Sequence, residues 1–128
     1  MKKMKFKLEY PLGNASAAVL WNYTGNAQGL SAWFADEVLA DENAFTFIWD
    51  KIEYRANLLH VKPNTYIRFQ WEEDKNSDAF FEIKINSSEI SKDVVIQITD
   101  FALPNEKEDS VMLWNKQMDD LKRVTGLI

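Results

Sequence analysis

Hydrolytic catalysis by a triad needs a histidine, and this chain has one, His60. It stands in Leu58-Leu59-His60-Val61, a strand-like run with no sharp strand-to-helix turn to present a nucleophile beside it. His60 therefore reads as a strand residue, partly exposed or hydrogen-bonded. No cysteine is present, which removes thiol nucleophiles, disulfides and Cys-ligated zinc together. The only glycines are Gly13, Gly25, Gly29 and Gly126, so neither a dinucleotide fingerprint nor a P-loop can be built.

Carboxylates are the remaining source of acid–base or metal chemistry. Glu72-Glu73-Asp74 with Asp78 could attract a divalent cation, but these residues lack EF-hand spacing and its glycine, and read as a solvated hairpin tip. Asp36-Glu37 and Asp41-Glu42 flank the start of a strand-rich region and read as the polar surface of a helix-to-strand loop rather than an acid–base pair. Asp100 is different. It lies between Thr99 and Phe101 at the end of an apolar strand, where a buried carboxylate needs a partner. Arg68, Arg55 or a backbone N–H could supply one, and polar contact with a ligand is the competing role.

The largest chemical signal is aromatic. Five Trp, eight Phe and four Tyr make up 13% of the chain, enough to fill a core or to wall a cavity.

The elements that position these groups follow from periodicity. Met4, Phe6, Leu8 and Tyr10 alternate with Lys5, Lys7 and Glu9, the pattern of a half-buried strand, ended by Pro11 and Gly13. Asn14 or Ser16 can cap a short helix through Ala17–Trp21. Gly25-Asn26 breaks it, and a second short helix is expected over about Ala27 to Phe34. Alternating runs then follow: Phe45, Phe47, Trp49; Ile52, Tyr54, Ala56; Ile67, Phe69, Trp71; Phe81, Ile83, Ile85; Val94, Ile96, Ile98. Asp50-Lys51 and Pro63-Asn64 read as turns. After Pro104, Asn105 and Glu108 suggest a capping box. Val111, Trp114, Met118, Leu121 and Val124 recur at helical spacing, with Lys122 and Arg123 at the end that favours cations. The fold class is α+β. A curved antiparallel sheet of about six strands wraps a long C-terminal helix, with two short helices after the first strand.

The chain has 128 residues and no repeat, linker or low-complexity stretch, so one domain over 1–128 is expected. The net charge of −5 argues against nucleic acid as a partner and against adhesion to anionic lipid. Lys5, Lys7 and Glu9 interrupt the apolar run that a signal peptide would need. No window reaches the ~20 apolar residues of a membrane helix. A cytoplasmic protein without stable membrane insertion is expected, as a monomer or homodimer. Charges on the first strand discourage edge pairing, and Trp21, Phe80 and Leu127 are candidates for an interaction patch.

Three segments carry a resemblance: Trp21 with Gly29-Leu30-Ser31-Ala32-Trp33-Phe34-Ala35-Asp36-Glu37-Val38, then Ile98-Thr99-Asp100-Phe101, then Leu113-Trp114-Asn115-Lys116-Gln117-Met118-Asp119-Asp120-Leu121-Lys122. In order and spacing they resemble the START-like (SRPBCC) superfamily in its Aha1-type branch, whose members include small stand-alone bacterial domains. The resemblance implies a helix-grip (START-like/Bet v 1-like) fold with an internal cavity between sheet and C-terminal helix. It implies no single activity, because that fold hosts carriers, cyclases, hydrolases and Hsp90 co-chaperones. The expected lining is Trp33, Phe34, Phe47, Trp49, Tyr54, Phe69, Trp71, Phe81, Ile83, Ile98, Trp114, Met118 and Leu121, with Arg68 and Asp100 as polar orienting groups. The expected function is non-catalytic binding of a hydrophobic small molecule or lipid, with no cofactor and no metal. The alternative is a protein-interaction domain, of co-chaperone type, with a packed core. An enzyme of the cyclase or hydrolase kind is the third reading, for which no acid–base pair stands out. Sequence leaves open whether the rings fill the interior to a density of ~0.75 or enclose a pocket of about 300–1,000 Å³.

Overall fold

Every alternating run forms a strand, and antiparallel pairing through short turns joins them into one sheet. The computed structural model describes residues 2–127. Its strands are β1 (Met4–Pro11), β2 (Glu37–Asp41), β3 (Ala44–Trp49), β4 (Ile52–Lys62), β5 (Tyr66–Trp71), β6 (Phe81–Ser87) and β7 (Val94–Ala102). The order across the sheet is β1-β7-β6-β5-β4-β3-β2, antiparallel at every step. The chain thus runs as a meander from β2 to β7, and β1 closes onto β7. Two short helices, α1 (Ala17–Thr24) and α2 (Ala27–Leu30), follow β1, and α3 (Lys107–Val124) ends the fold.

Period-two patterning fixes which side chains face α3. Ile67 opposes Ile83 and Phe69 opposes Phe81, while Ile83 opposes Ile98 and Ile85 opposes Ile96. All of these point to the concave face and are buried. The β3–β4 connection is the tight turn expected at Asp50-Lys51, with both residues at positive φ (52° and 67°), as the hairpin twist requires. The carboxylate of Asp36 steadies it by accepting the Asp50 N–H at 2.8 Å.

The helices are held by specific bonds. Ser16 caps α1, its Oγ accepting the Val19 N–H. Asn26 caps α2, its Oδ1 accepting the Gly29 N–H at 2.7 Å. Gly29 lies where α2 meets the backbone of α1: a Cβ there would stand 2.1 Å from the Asn22 carbonyl oxygen and 2.6 Å from the Tyr23 Cα. Trp33 locks this corner through its indole N–H, which donates to the Tyr23 carbonyl at 2.7 Å.

Three expectations need correction. The sheet has a seventh strand, β2, where a loop was expected at Asp36-Glu37 to Asp41-Glu42. Only Val38 of its five residues is buried, so an edge strand this short carries almost no alternation. The second helix stops at Leu30 rather than running to Phe34. The following residues turn instead, which drops the Phe34 ring into the core. The capping box at Asn105 and Glu108 does not form: a 3-10 turn, Pro104–Glu106, leads straight into α3. Along α3, Trp114, Met118 and Leu121 are buried against the sheet together with Gln117, and Lys122 and Arg123 occupy the last turn.

Candidate functional site

The concave face is solid at its centre and open at one end. Phe47, Phe69 and Phe81 are essentially inaccessible and meet edge-to-face or stacked, with ring centroids 5.2–6.1 Å apart. Ile83, Ile98, Met118 and Leu121 are equally buried. Six of these, Phe47, Phe69, Ile83, Ile98, Met118 and Leu121, were expected as cavity lining but form packed core, because large side chains from the sheet and α3 fill the space between them.

Towards the β3–β4 turn the packing opens. Trp49 on β3, Tyr54 on β4 and Trp71 on β5 stand side by side, with ring centroids 5.6, 6.1 and 6.4 Å apart and ring planes inclined by 56–71°. Across from them lie Leu113, Trp114 and Gln117 of α3. Between the two walls is a pocket of about 470 Å³, bounded also by Phe34, Phe81, Glu73, Asp100 and Ser110. Of the residues expected around a cavity, Phe34, Trp49, Tyr54, Trp71, Phe81, Trp114 and Asp100 come together around this pocket. Trp33 lies on the other side of Phe34, in a second, more polar pocket of about 400 Å³ with Asp36, Lys116, Asp120 and Arg123.

Phe34 is the partition. Its ring stacks on Phe81 at 5.7 Å and tilts against Trp114 at 5.6 Å. Its carbonyl oxygen accepts two bonds, from the Trp49 indole at 2.9 Å and from the Gln117 amide at 3.0 Å. Strand, loop and helix are joined at that one atom.

Asp100 is the more buried of the two carboxylates that line the pocket. Even-numbered residues of β7 face inward, so the apolar run that buries Val94, Ile96 and Ile98 carries Asp100 to the same face. Its Oδ2 accepts the Trp114 indole N–H at 2.8 Å and its Oδ1 the Phe101 backbone N–H at 2.7 Å. Burial pushes its carboxyl above the ordinary carboxylate range, and these two bonds, with the field of Lys3, pull the other way without cancelling it. Lys3 is itself held by Asp74 at 3.0 Å.

Arg68 does not join this site, a correction to its role as an orienting group. It alternates with the inward Ile67 and Phe69 and so emerges on the convex face. There its guanidinium pairs with Glu82 at 2.9 Å and lies 4.2 Å from the Phe80 ring centroid. Phe80 also packs on Phe101 at 5.1 Å. His60, likewise outward-facing, shares a hydrogen bond with the Tyr66 hydroxyl. The hairpin tip is less plain than expected. Asp74 bridges to Lys3 across 71 residues, and Glu73 reaches the pocket rim. Among the described residues, no three His, Asp or Glu side chains converge to hold a metal ion, and no helix is long and apolar enough to cross a membrane.

Four lining residues were missed by sequence reasoning. Ser110, Leu113 and Gln117 recur at three- and four-residue steps beside Trp114, a helical face that could have been read. Glu73 left no local signal, since only the fold of the β5–β6 connection brings it to the rim.

Residues 1–127 match the family model of a START-like superfamily domain. A solution structure from Bacteroides fragilis is 38% identical, with TM-score 0.69, covering 97% of this chain and 92% of that one. The solution structure of the Aha1 dimer from Colwellia psychrerythraea has TM-score 0.74 at 12% identity, covering 93% of each chain. CalU16 from Micromonospora echinospora has TM-score 0.70 at 13% identity, covering 96% of this chain and 75% of that one. At such identities the last two show likeness of fold alone. No curated protein matches the chain.

Proposed function

The chain belongs to the START-like superfamily, and on that premise we propose that it is a cytosolic binding module that takes a hydrophobic small molecule or lipid between sheet and α3 without transforming it. The observation that carries this reading is the pocket of about 470 Å³ walled by Trp49, Tyr54, Trp71 and Trp114. That volume lies within the ~300–1,000 Å³ of small-molecule sites, and a mostly apolar wall with few polar groups is their usual make-up. Leaving Trp49, Tyr54 and Trp71 partly exposed forgoes burial that large rings gain elsewhere in the core, and a ligand would restore it. For catalysis a positioned acid or base must reach the substrate. Asp100, the more buried of the two lining carboxylates, is bonded to the Trp114 indole and the Phe101 backbone N–H, neither of which can serve it as an acid–base partner.

The test is a native mass spectrum of gently purified protein beside its denatured mass, repeated for Trp71→Ala. Extra mass lost on denaturation, and much reduced in Trp71→Ala, is the expected result. Bare protein in both, together with no quenching of tryptophan fluorescence by apolar probes, would defeat the reading.

A second reading has its own support. Met112 and Leu113 of α3 are 68% and 56% exposed, Leu113 beside the pocket opening, and one structural relative is a dimer. A protein-contact surface on α3 would show as self-association in sedimentation, weakened by Met112→Lys.

A further inference from the structure

We propose that the pocket selects a cationic ligand: an apolar body carrying an amine or quaternary ammonium group. This deepens the binding reading above and rests on it.

The charge of the lining points there. Glu73 and Asp100 line the pocket, and no Lys, Arg or His does. The nearby cations are committed elsewhere. Lys3, whose field reaches Asp100, is salt-bridged to Asp74, whose charge offsets it. Arg68 is bound to Glu82 on the opposite face of the sheet, and Lys116 pairs with Asp120 at 3.5 Å. An anionic head group in this pocket would meet two carboxylates with no counter-charge to hold it.

The aromatic wall favours the same sign. Trp49, Tyr54 and Trp71 all line the pocket with their planes inclined by 56–71° to one another, so the aromatic surface around a ligand is not confined to one plane. Ring faces carry the negative part of the aromatic quadrupole and attract cations, tryptophan most strongly.

Asp100 adds direction. The bonds from Trp114 and Phe101 fix the orientation of its carboxylate and use one acceptor site on each oxygen, leaving others for a ligand N–H. A bound ammonium would supply the counter-charge that this largely buried carboxylate lacks inside the pocket.

The experiment uses three probes on one naphthyl skeleton. One ends in trimethylammonium, one in the neutral tert-butyl isostere and one in carboxylate, each titrated by calorimetry against the full chain. The ammonium probe is expected to bind about tenfold tighter than the isostere, the size of a desolvated cation–π contact, and the carboxylate weakest. Glu73→Gln, at an exposed rim position, should shrink the ammonium-to-isostere ratio, and Asp100→Asn should shrink it further. Equal or tighter binding of the isostere would overturn the charge preference and leave the pocket reading standing. Failure of all three probes would overturn both. An unchanged ratio in both variants would overturn the role given to the carboxylates.

Discussion

The indole N–H of Trp114 donates to Oδ2 of Asp100 at 2.8 Å, and this bond ties the long helix to the last strand at the inner end of the pocket. Among the described residues it is the one side-chain hydrogen bond between α3 and β7, and both of its partners line the pocket. Trp114→Phe keeps a ring in place but removes the donor, leaving Asp100 with only the Phe101 N–H. A loss of about 1–2 kcal/mol is expected, measured by urea denaturation.

The same carboxylate sets a pH dependence. Burial raises the pKa of Asp100 in the folded chain, so the native state holds this proton more tightly than the unfolded chain does. Its contribution to stability is then fully present below the unfolded value of about 3.9 and is lost as pH rises through the raised folded value. The stability difference between wild type and Asp100→Asn should therefore shift against wild type as pH rises through that window. A difference that stays constant with pH would contradict this.

Gly29 gives the sharpest steric prediction. A methyl group there would collide with the Asn22 carbonyl and the Tyr23 Cα, both backbone, which cannot swing aside. Gly29→Ala should cost about 1–3 kcal/mol, although alanine normally favours a helix. A thermal melt decides it: an unchanged or raised midpoint would mean that the two helices separate freely.

The contrast between the central strands and β2 shows what was legible. Strands with strong alternation, such as Ile67-Arg68-Phe69 and Phe81-Glu82-Ile83, declared both their existence and their inward face, as did the helical spacing of Trp114, Met118 and Leu121. Edge strand β2 did not, because one buried valine in five residues has no period. The site was legible in part. Ring-bearing positions could be placed on the concave face, but alternation cannot say where along a strand the packing ends. Phe47 and Trp49 share a face, and the first is core while the second is pocket wall. For Arg68 the alternation with Ile67 and Phe69 is itself enough to put the guanidinium on the convex face, outside the site.

That outward position makes Arg68 a control. Glu82 is buried on the convex face and Arg68 is its ion-pair partner, with two guanidinium nitrogens within 3.0 Å of Oε1. Arg68→Ala should strand that carboxylate and cost on the order of 2 kcal/mol. It should leave the affinity of any pocket ligand unchanged. Lost binding at full stability would return Arg68 to the site.

The Phe34 carbonyl supplies a prediction about coupling. It accepts from Trp49 and from Gln117, so removing either donor leaves the other. Trp49→Phe alone should cost mainly ring contacts, and Gln117→Leu alone about 1 kcal/mol. Removing both strands a buried acceptor, and that cost, about 1–3 kcal/mol for an unsatisfied group, falls only on the double variant. Stabilities of the four proteins form a double-mutant cycle in which the ring contacts cancel. The double variant should be less stable than the sum of the singles by about 1 kcal/mol or more. Strict additivity would mean that water from an adjoining pocket satisfies the carbonyl once both donors are gone, and that the joint at this atom adds nothing beyond its separate bonds.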